Sequence, residues 1–266
     1  MDAFQAVILA AIQGLTEFLP VSSSGHLVLP QTLFGWEDQG LAFDVAVHVG
    51  SLLAVLWYFR ADVAAILGDW FASLLSRHST ANSRLGWMVI VATVPAIVAG
   101  LIFNDVIETN LRTGYVLATT TLVFGILLGL VDRYAKHTRQ IADIGLRITL
   151  IIGFAQAIAL IPGTSRSGIT ITAALMLGLS RSDSARFSFL LSMPIIAAAG
   201  SYKLLELVQS SAAVPWMYLL IGFVVSALTA YACIRVFMTW IERIGMMPFA
   251  IYRVLLAGLL FSVLAS

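Results

Sequence analysis

Charged residues are scarce in this chain, and their scarcity indicates its class. Asp, Glu, Lys and Arg together make up 11% of its 266 residues, whereas a soluble domain has roughly a quarter. Hydrophobic residues account for 60% of the sequence, and the mean hydropathy is +0.96. We therefore predict an integral membrane protein that forms a single membrane domain over residues 1–266.

Three further absences narrow the possible functions. The net charge is only +1 and neither end carries a run of like charges, so nothing in the sequence suggests a nucleic-acid partner. Cys233, the only cysteine, has no partner for an internal disulfide, and its apolar neighbours indicate a packing role. The N-terminus carries Asp2 and no basic residue before its apolar stretch, so we expect no cleavable signal peptide.

Long apolar stretches are abundant. A spanning helix needs about 20 mostly apolar residues, because each residue adds about 1.5 Å across a hydrocarbon core of about 30 Å. Six stretches meet this requirement, and we predict an all-α membrane protein in which they are the spanning helices: Leu41–Phe59, Leu85–Phe103, Gly114–Val131, Phe187–Leu207, Trp216–Ile234 and Pro248–Leu264.

Two other regions, Met1–Trp36 and Ile148–Ser180, do not fit a simple crossing. Each is too long for one crossing and too short for two, and each is interrupted near its middle by proline, serine and glycine. We predict that both are re-entrant helix hairpins that return to the side from which they entered. Interrupted segments at corresponding places in two halves point to a binding site where two repeats meet.

The two interrupted regions have similar sequences, as an internal duplication would produce. Gln13 is followed by a proline, the run Ser22–Ser24 and Gly25. Gln156 is followed at nearly the same intervals by Pro162, Thr164, Ser165, Arg166, Ser167 and Gly168. The offset stays close to half the chain, so we predict two repeats, about 1–140 and about 141–266.

Basic residues orient the spans, because short cytoplasmic loops are enriched in lysine and arginine. If six spans alternate and both interrupted regions return, one side receives all four basic clusters: Arg60, Arg77 and Arg84; Arg133, Lys136, Arg139 and Arg147; Arg181 and Arg186; Arg235 and Arg243. Residue 1 then starts outside and residue 148 inside, which predicts inverted-topology repeats. Eight ordinary crossings would scatter the clusters over both faces.

Arg166 is a lone cation between two apolar runs without charge. An arginine near the bilayer centre costs about 2.5–3.5 kcal/mol on insertion scales, so it marks a functional site with an anionic partner. The hydroxyl groups of Thr164, Ser165, Ser167 and Thr170 surround it in sequence. Guanidinium forks, hydroxyls and the free amides of a new helix all bind phosphate oxygens. We therefore predict a phosphate site here.

The first interrupted region supplies complementary groups. Gln13 and Glu17 are four residues apart and share a helix face, so both can point into one cavity. Glu17 needs a cation, which is either Arg166 or a divalent metal such as Mg²⁺ or Ca²⁺ held together with substrate phosphates. His26 can transfer a proton or attack phosphorus, and the serines of Ser22–Ser24 can bind phosphate or act as nucleophile.

Each of these residues also has a purely structural interpretation. The serines could be packing at a close helix contact, and Glu17 with Arg166 could form a structural ion pair. We interpret His48, His78 and His137 as ordinary hydrogen-bonded or water-facing residues. The functional interpretation is favoured because ionisable residues occur beside hydroxyls and glycines in both interrupted regions.

The motifs resemble those of one family, the bacterial undecaprenyl-diphosphate phosphatases, also called bacitracin resistance proteins. Gln13–Glu17 fits its (Glu/Gln)-x-x-x-Glu motif, and Pro162–Thr170 fits its Pro-Gly-x-Ser-Arg-Ser-x-x-Thr motif. Pro-Val-Ser-Ser-Ser-Gly-His continues the first motif as far as His26, and Phe249–Arg253 resembles the family's C-terminal stretch. The resemblance covers the whole chain. Gln13 stands where many members carry glutamate.

The resemblance implies two inverted repeats with re-entrant hairpins in the bacterial inner membrane and a site that opens to the periplasm. It also implies hydrolysis of a polyprenyl diphosphate lipid to monophosphate and phosphate with a divalent cation, which recycles the carrier for cell-wall synthesis and gives bacitracin resistance. The family's active-site roles would fall on Glu17, Ser23, His26, Ser165 and Arg166.

Several alternatives stay open at the level of sequence. The nucleophile is Ser23 with His26 as its base, His26 itself, or water. Substrate contacts are expected from Gln13, Ser22, Ser24, Thr164, Ser165, Ser167 and Thr170, and a metal contact from Glu17. A transporter or flippase of an isoprenoid lipid phosphate is the competing function, because broken helices at mid-membrane are also a transporter architecture. Metal identity, chain-length preference and oligomeric state are not determined, and a homodimer is one of the assemblies the sequence allows.

Overall fold

The computed structural model describes residues 1–76, 78–209 and 216–265, and within them the chain is helical throughout, without a β-strand. Arg77, from the first basic cluster, lies outside the described residues. The helices are α1 Ala3–Thr16, α2 Ser23–Phe34, α3 Gly40–Tyr58, α4 Arg60–Ser76, α5 Ala81–Val106, α6 Gly114–Tyr134, α7 Leu146–Ile158, α8 Arg166–Met176, α9 Arg181–Gln209, α10 Trp216–Ile244 and α11 Met247–Ala265. A π-helical turn, Ile107–Leu111, extends α5, and a short 3₁₀ turn precedes α7.

Six of the described helices are long and apolar enough to cross a membrane, and they match the six predicted spans, although α3 ends at Tyr58, one residue before the predicted Phe59. They are α3, α6, α10 and α11, together with Ala81–Leu111 and Arg181–Leu207. The structural boundaries extend past the predicted ones where polar residues begin or end a helix. Thr80, for example, caps α5 by accepting a hydrogen bond from the Ser83 amide. The prediction of an all-α multi-pass membrane protein is confirmed.

The two interrupted regions each form a pair of short helices. α1 and α2 have 14 and 12 residues, and α7 and α8 have 13 and 11. At about 1.5 Å per residue, the longest of these is about 21 Å, which is shorter than the hydrocarbon core. The breaks fall at the Pro-Ser and Pro-Gly stretches that the sequence indicated. The re-entrant course of both pairs and the inverted topology stay predictions.

One helix, α4, was not predicted. The stretch after Arg60 was interpreted as a connection, but it forms a 17-residue helix that packs along α5. Its sequence is mixed: Asp62 pairs with Arg186 of α9 at 3.1 Å, while Leu67 and Phe71 are exposed. Because charged residues are interspersed along it, this segment was not recognised as a stretch of about 20 mostly apolar residues.

Each short helix pair packs against long helices. α1 packs on α10 and α7 packs on α5, while α3 lies between α9 and α10, and α6 packs on α11. Glycines allow the closest approaches. A Cβ on Gly14 of α1 would lie 2.6 Å from the Ser226 carbonyl oxygen, and one on Gly153 of α7 would lie 2.8 Å from that of Ala92. The short helices are therefore held against long helices at fixed positions.

Candidate active site

The site forms where α2 and α8 begin, and the two beginnings have the same local geometry. Ser22 and Ser165 cap these helices, and each accepts a hydrogen bond from the glycine amide three residues later, at 3.3 and 3.1 Å. Both serines have positive φ, 74° and 69°. For a residue other than glycine, this costs of the order of 1–3 kcal/mol and is found preferentially at functional sites. The two helix N-termini, which favour anions, face one space.

Glu17 lies at the centre of the hydrogen-bond network. Its Oε1 accepts from Nη2 of Arg166 at 3.0 Å, and its Oε2 accepts from Nε2 of Gln13 at 2.9 Å and from Oγ of Ser23 at 3.2 Å. Both members of the ion pair are nearly buried, with side-chain exposures of 13% for Arg166 and 9% for Glu17. Gln13 and Glu17 are hydrogen-bonded to each other on one face, and of the two cations that the sequence left open for Glu17, Arg166 is the one it contacts here.

Backbone contacts fix the two broken segments against each other. Ser167 Oγ donates to the Leu19 carbonyl oxygen at 2.8 Å, and the Gly163 amide donates to Ser24 Oγ at 3.4 Å. The Arg166 guanidinium lies over the Phe18 ring, 5.9 Å from its centroid. The segments therefore meet tip to tip, although they are about 140 residues apart in the chain.

A cavity of about 290 Å³ opens beside this network. Its polar wall includes Glu17, Ser23, Ser24, Ser165 and Arg166, together with His48 from α3. Its other wall is apolar, built from Ala96, Leu160, Ile195, Ile196 and Ala199. A cavity with one polar and one apolar wall suits an amphiphilic molecule whose charged end is small.

The structure does not pair Ser23 with His26 as nucleophile and base. The Ser23 hydroxyl donates to Glu17, whereas His26 Nδ1 donates to the Ser22 carbonyl oxygen at 2.7 Å. His26 Nε2 is left as an acceptor for the Tyr252 hydroxyl at 2.6 Å, and the two rings are stacked. His26 therefore lies beside the polar wall, engaged with α11.

Some predicted substrate contacts are buried behind the cavity surface. Ser167 and Thr170 are each 1% exposed, and Thr170 Oγ1 is engaged with the Arg166 carbonyl oxygen at 2.8 Å and Ser188 Oγ at 2.7 Å. Thr164 is also fully buried, and its hydroxyl has no partner among the described residues. Ser22 is equally buried but lines the cavity, as do Ser24 and Ser165, whereas Ser167, Thr170 and Thr164 are not among its lining residues.

Arg253 is a positioning residue that the sequence analysis did not single out. It is fully buried on α11, and its guanidinium donates to the carbonyl oxygens of Gly163 at 2.8 Å, Thr164 at 3.0 Å and Thr121 at 3.1 Å. It thereby holds the loop before α8 against α6. The available signal was a lone cation in the apolar stretch Pro248–Leu264, the same signal that identified Arg166.

The donor set suits a divalent cation that arrives with its substrate. In the described part of the chain, no three His, Cys, Asp or Glu side chains are grouped as a metal cage. Glu17 offers one carboxylate, and Gln13 Oε1 is a buried acceptor without a partner among the described residues. Mg²⁺ is commonly held by one or two carboxylates together with substrate phosphates and waters. Glu17 and Gln13 fit that arrangement.

Comparisons with known proteins show the family of this chain. A family model described as bacitracin resistance protein BacA matches residues 6–259. An undecaprenyl-diphosphatase of Teredinibacter turnerae is 59% identical over 98% of this chain and 99% of its own length. One from Saccharophagus degradans is 57% identical over 98% of both chains, and undecaprenyl-diphosphatase 1 of Pseudoalteromonas translucida is 54% identical over 96% of both. The chain, with its paired broken helices and buried Glu17–Arg166 pair, therefore belongs to the bacitracin resistance protein family.

Proposed function

We propose that this protein hydrolyses undecaprenyl diphosphate to undecaprenyl phosphate and inorganic phosphate, and so recycles the lipid carrier of cell-wall synthesis. The main structural support for this function is the Arg166–Glu17 ion pair. It lies where two serine-capped helix N-termini meet, beside a cavity with one apolar wall. Relatives with the printed name undecaprenyl-diphosphatase cover nearly the whole chain at 54–59% identity, which supports the same reaction here.

The diphosphate binds against the polar wall. Arg166 and the hydroxyls of Ser24 and Ser165 contact its oxygens, and the first amides of α2 and α8, which have no acceptor within a helix, point at the same charge. The isoprenoid chain leaves along the apolar wall towards lipid. Arg253 keeps the carbonyl groups of the loop before α8 turned away from the anion by donating to them.

Ser23 is the proposed nucleophile. Its hydroxyl donates to Glu17 Oε2, so the carboxylate is the nearest acceptor for its proton when Oγ attacks the terminal phosphorus. The bond from that phosphorus to the bridging oxygen breaks, and undecaprenyl phosphate leaves with the electron pair. His26 and direct attack by water are the alternatives. Substrate labelled in its terminal phosphate, followed by a denaturant quench at neutral pH, distinguishes them: acid-stable label on Ser23 supports the proposal, acid-labile label on His26 supports the second route, and an unlabelled protein supports water.

The proposed cofactor is a divalent cation, Mg²⁺ or Ca²⁺, held by Glu17 and the free amide oxygen of Gln13 together with the diphosphate. When bound, it would offset negative charge on the phosphoryl group being transferred. The protein residues align the diphosphate and keep the Glu17 carboxylate ionised and oriented through Arg166.

The site is proposed to open to the periplasm from the inner membrane. His48 lies eight residues after α3 begins, and Ala96 and Ala199 lie ten residues before α5 and α9 end. These ends are therefore about 12–15 Å from the cavity. The connection after α5 has few basic residues, whereas the opposite ends of these spans carry the arginine clusters, which supports a cytoplasmic position for those ends.

The experiment that tests the function is release of inorganic phosphate from undecaprenyl diphosphate by purified protein in detergent. We expect stoichiometric phosphate and monophosphate, and loss of the reaction with EDTA that is reversed by excess Mg²⁺ or Ca²⁺. A transporter would leave the substrate intact in detergent and move it only in sealed vesicles. Intact substrate together with vesicle transport would replace the hydrolase proposal by that alternative.

A further inference from the structure

His48 lies on α3, one of the predicted spanning helices, and it lines the cavity that also contains Glu17, Ser23 and Arg166. From the sequence it was interpreted as an ordinary hydrogen-bonded helix residue. That interpretation is correct for one ring nitrogen, which lies 2.7 Å from the carbonyl oxygen of Asp44 one turn earlier.

That contact determines the tautomer of the neutral ring. A carbonyl oxygen can only accept a hydrogen bond, so Nδ1 of His48 must carry the hydrogen. Nε2 then has the lone pair and is free to take a proton. The arrangement resembles the imidazole of a catalytic triad, in which an acceptor behind one nitrogen orients the other.

The two histidines near the site differ at Nε2. His26 Nε2 is occupied by the Tyr252 hydroxyl at 2.6 Å. Among the described residues, no group forms a hydrogen bond with His48 Nε2, although the ring is only partly exposed and borders the cavity. Of the two rings, His48 is therefore the one whose basic nitrogen is available to a molecule in the cavity.

We propose that His48 is a catalytic base of the hydrolysis and takes the proton from the water that releases phosphate. As the water oxygen bonds to phosphorus, its proton moves to His48 Nε2. The bond from phosphorus to its leaving oxygen breaks, with the electron pair remaining on that oxygen. This oxygen is Ser23 Oγ if a phosphoserine forms, and the bridging oxygen of the diphosphate if water attacks directly. The imidazolium then returns its proton to the leaving oxygen or to solvent.

The charged side chains around His48 are paired with one another. Glu17 and Arg166 are the charged side chains that share its cavity, and they neutralise each other at 3.0 Å. On its own helix, the Asp44 carboxylate lies 3.9 Å from the Lys203 ammonium of α9. The packed helix α10 has no charged residue before Arg235. The His48 ring therefore lies among charges that are already paired with each other.

Two substitutions of His48 test the role of Nε2, the basic nitrogen, separately from that of Nδ1, which contacts the Asp44 carbonyl oxygen. In His48→Asn the amide nitrogen replaces Nδ1 and can still donate to Asp44, while Nε2 is lost. In His48→Gln an amide reaches the Nε2 position but cannot accept a proton. General bases contribute about 100-fold or more, so we expect kcat for phosphate release to fall by about 100-fold in both variants. KM should change by less than about threefold.

The matched control is His78→Gln, which alters an exposed histidine outside the site and should leave kcat unchanged. Imidazole added to His48→Ala should restore part of kcat, which no structural role would produce. Wild-type kcat in His48→Asn and His48→Gln, or an inactive folded His48→Ala that imidazole does not restore, would overturn the proposal.

This inference rests on the proposed position of the diphosphate, and the two can fail separately. If Arg166→Lys were fully active, the phosphate position would be wrong whatever His48 does. If Arg166→Lys were inactive while both His48 variants kept their kcat, only the role of His48 would be wrong. Melting in detergent, monitored for every variant, shows that each comparison is made on folded protein.

Discussion

Two arginines in apolar surroundings have different roles in this protein. Arg166 borders the cavity and pairs with Glu17, so it can exchange contacts with an incoming anion. Arg253 is fully buried, and its guanidinium donates only to backbone carbonyl oxygens in the contacts described. Arg166 is therefore placed to bind an anion, and Arg253 is placed to hold the loop that precedes Arg166.

The Arg166→Lys substitution tests the guanidinium fork. Lysine keeps the positive charge but loses the planar, two-pronged donor set that can contact Glu17 and phosphate together. We expect kcat/KM for phosphate release to fall by about 100-fold or more. The melting temperature should change much less, because the charge pair persists. An active Arg166→Lys enzyme would contradict the proposed phosphate position.

The residue scale also shows what a motif search finds and misses. Gln13, Glu17 and Arg166 were predictable because each sits in an interrupted apolar segment, where a polar side chain is costly. His48 lies in an uninterrupted spanning helix, so nothing local separates it from a structural histidine. Its role depends on which nitrogen faces the cavity, and that depends on where α3 packs.

At the scale of elements, the position of α1 against α10 decides where Glu17 lies. Gly14 is the contact point, since a Cβ there would meet Thr229 Oγ1 and would lie 2.6 Å from the Ser226 carbonyl oxygen. The threonine side chain can rotate away, but the backbone oxygen cannot. Glu17 follows three residues later at the end of the same helix, so a shift of α1 moves the carboxylate.

The Gly14→Ala substitution should therefore lower both stability and activity. Overpacking at such a contact costs about 1–3 kcal/mol, which should reduce the melting temperature in detergent as well as kcat. Gly258→Ala is the matched control, because a Cβ at that helical glycine of α11 meets nothing within 4 Å. Equal behaviour of the two variants would mean that the α1–α10 contact does not position the site.

At the scale of the whole molecule, the helix contacts follow the proposed repeats. The first short helix, α1, packs on α10 from the other half, and its counterpart α7 packs on α5 from the first half. Likewise, α2 contacts α11, and α8 contacts α6. Each half thus completes the surroundings of the other's broken segment. Neither half alone could place Glu17 beside Arg166, because each contributes one of the two.

Inverted topology makes a prediction about accessibility. In a Cys233→Ala background, Asn110→Cys tests the connection after α5 and Lys136→Cys the one after α6; both residues are exposed. A membrane-impermeant maleimide should label Asn110→Cys once the outer membrane is opened, and Lys136→Cys only after the inner membrane is permeabilised. Labelling of both from the same side would exclude alternation of α6 and the assignment of the basic clusters to the cytoplasm.

The sequence by itself determined the membrane class, the six spans, the two breaks and the residues that line them. These features follow from the hydrophobicity of each segment and from the cost of polar groups in lipid, and both can be judged from a short stretch of sequence. Only the tertiary structure decided that Ser23 contacts Glu17 while His26 contacts Tyr252, that Arg253 holds the loop before α8, and that His48 faces the cavity. Such pairings join residues far apart in the chain. They depend on how far each helix is shifted along its axis and how it is rotated about that axis, which the close contacts at glycines fix.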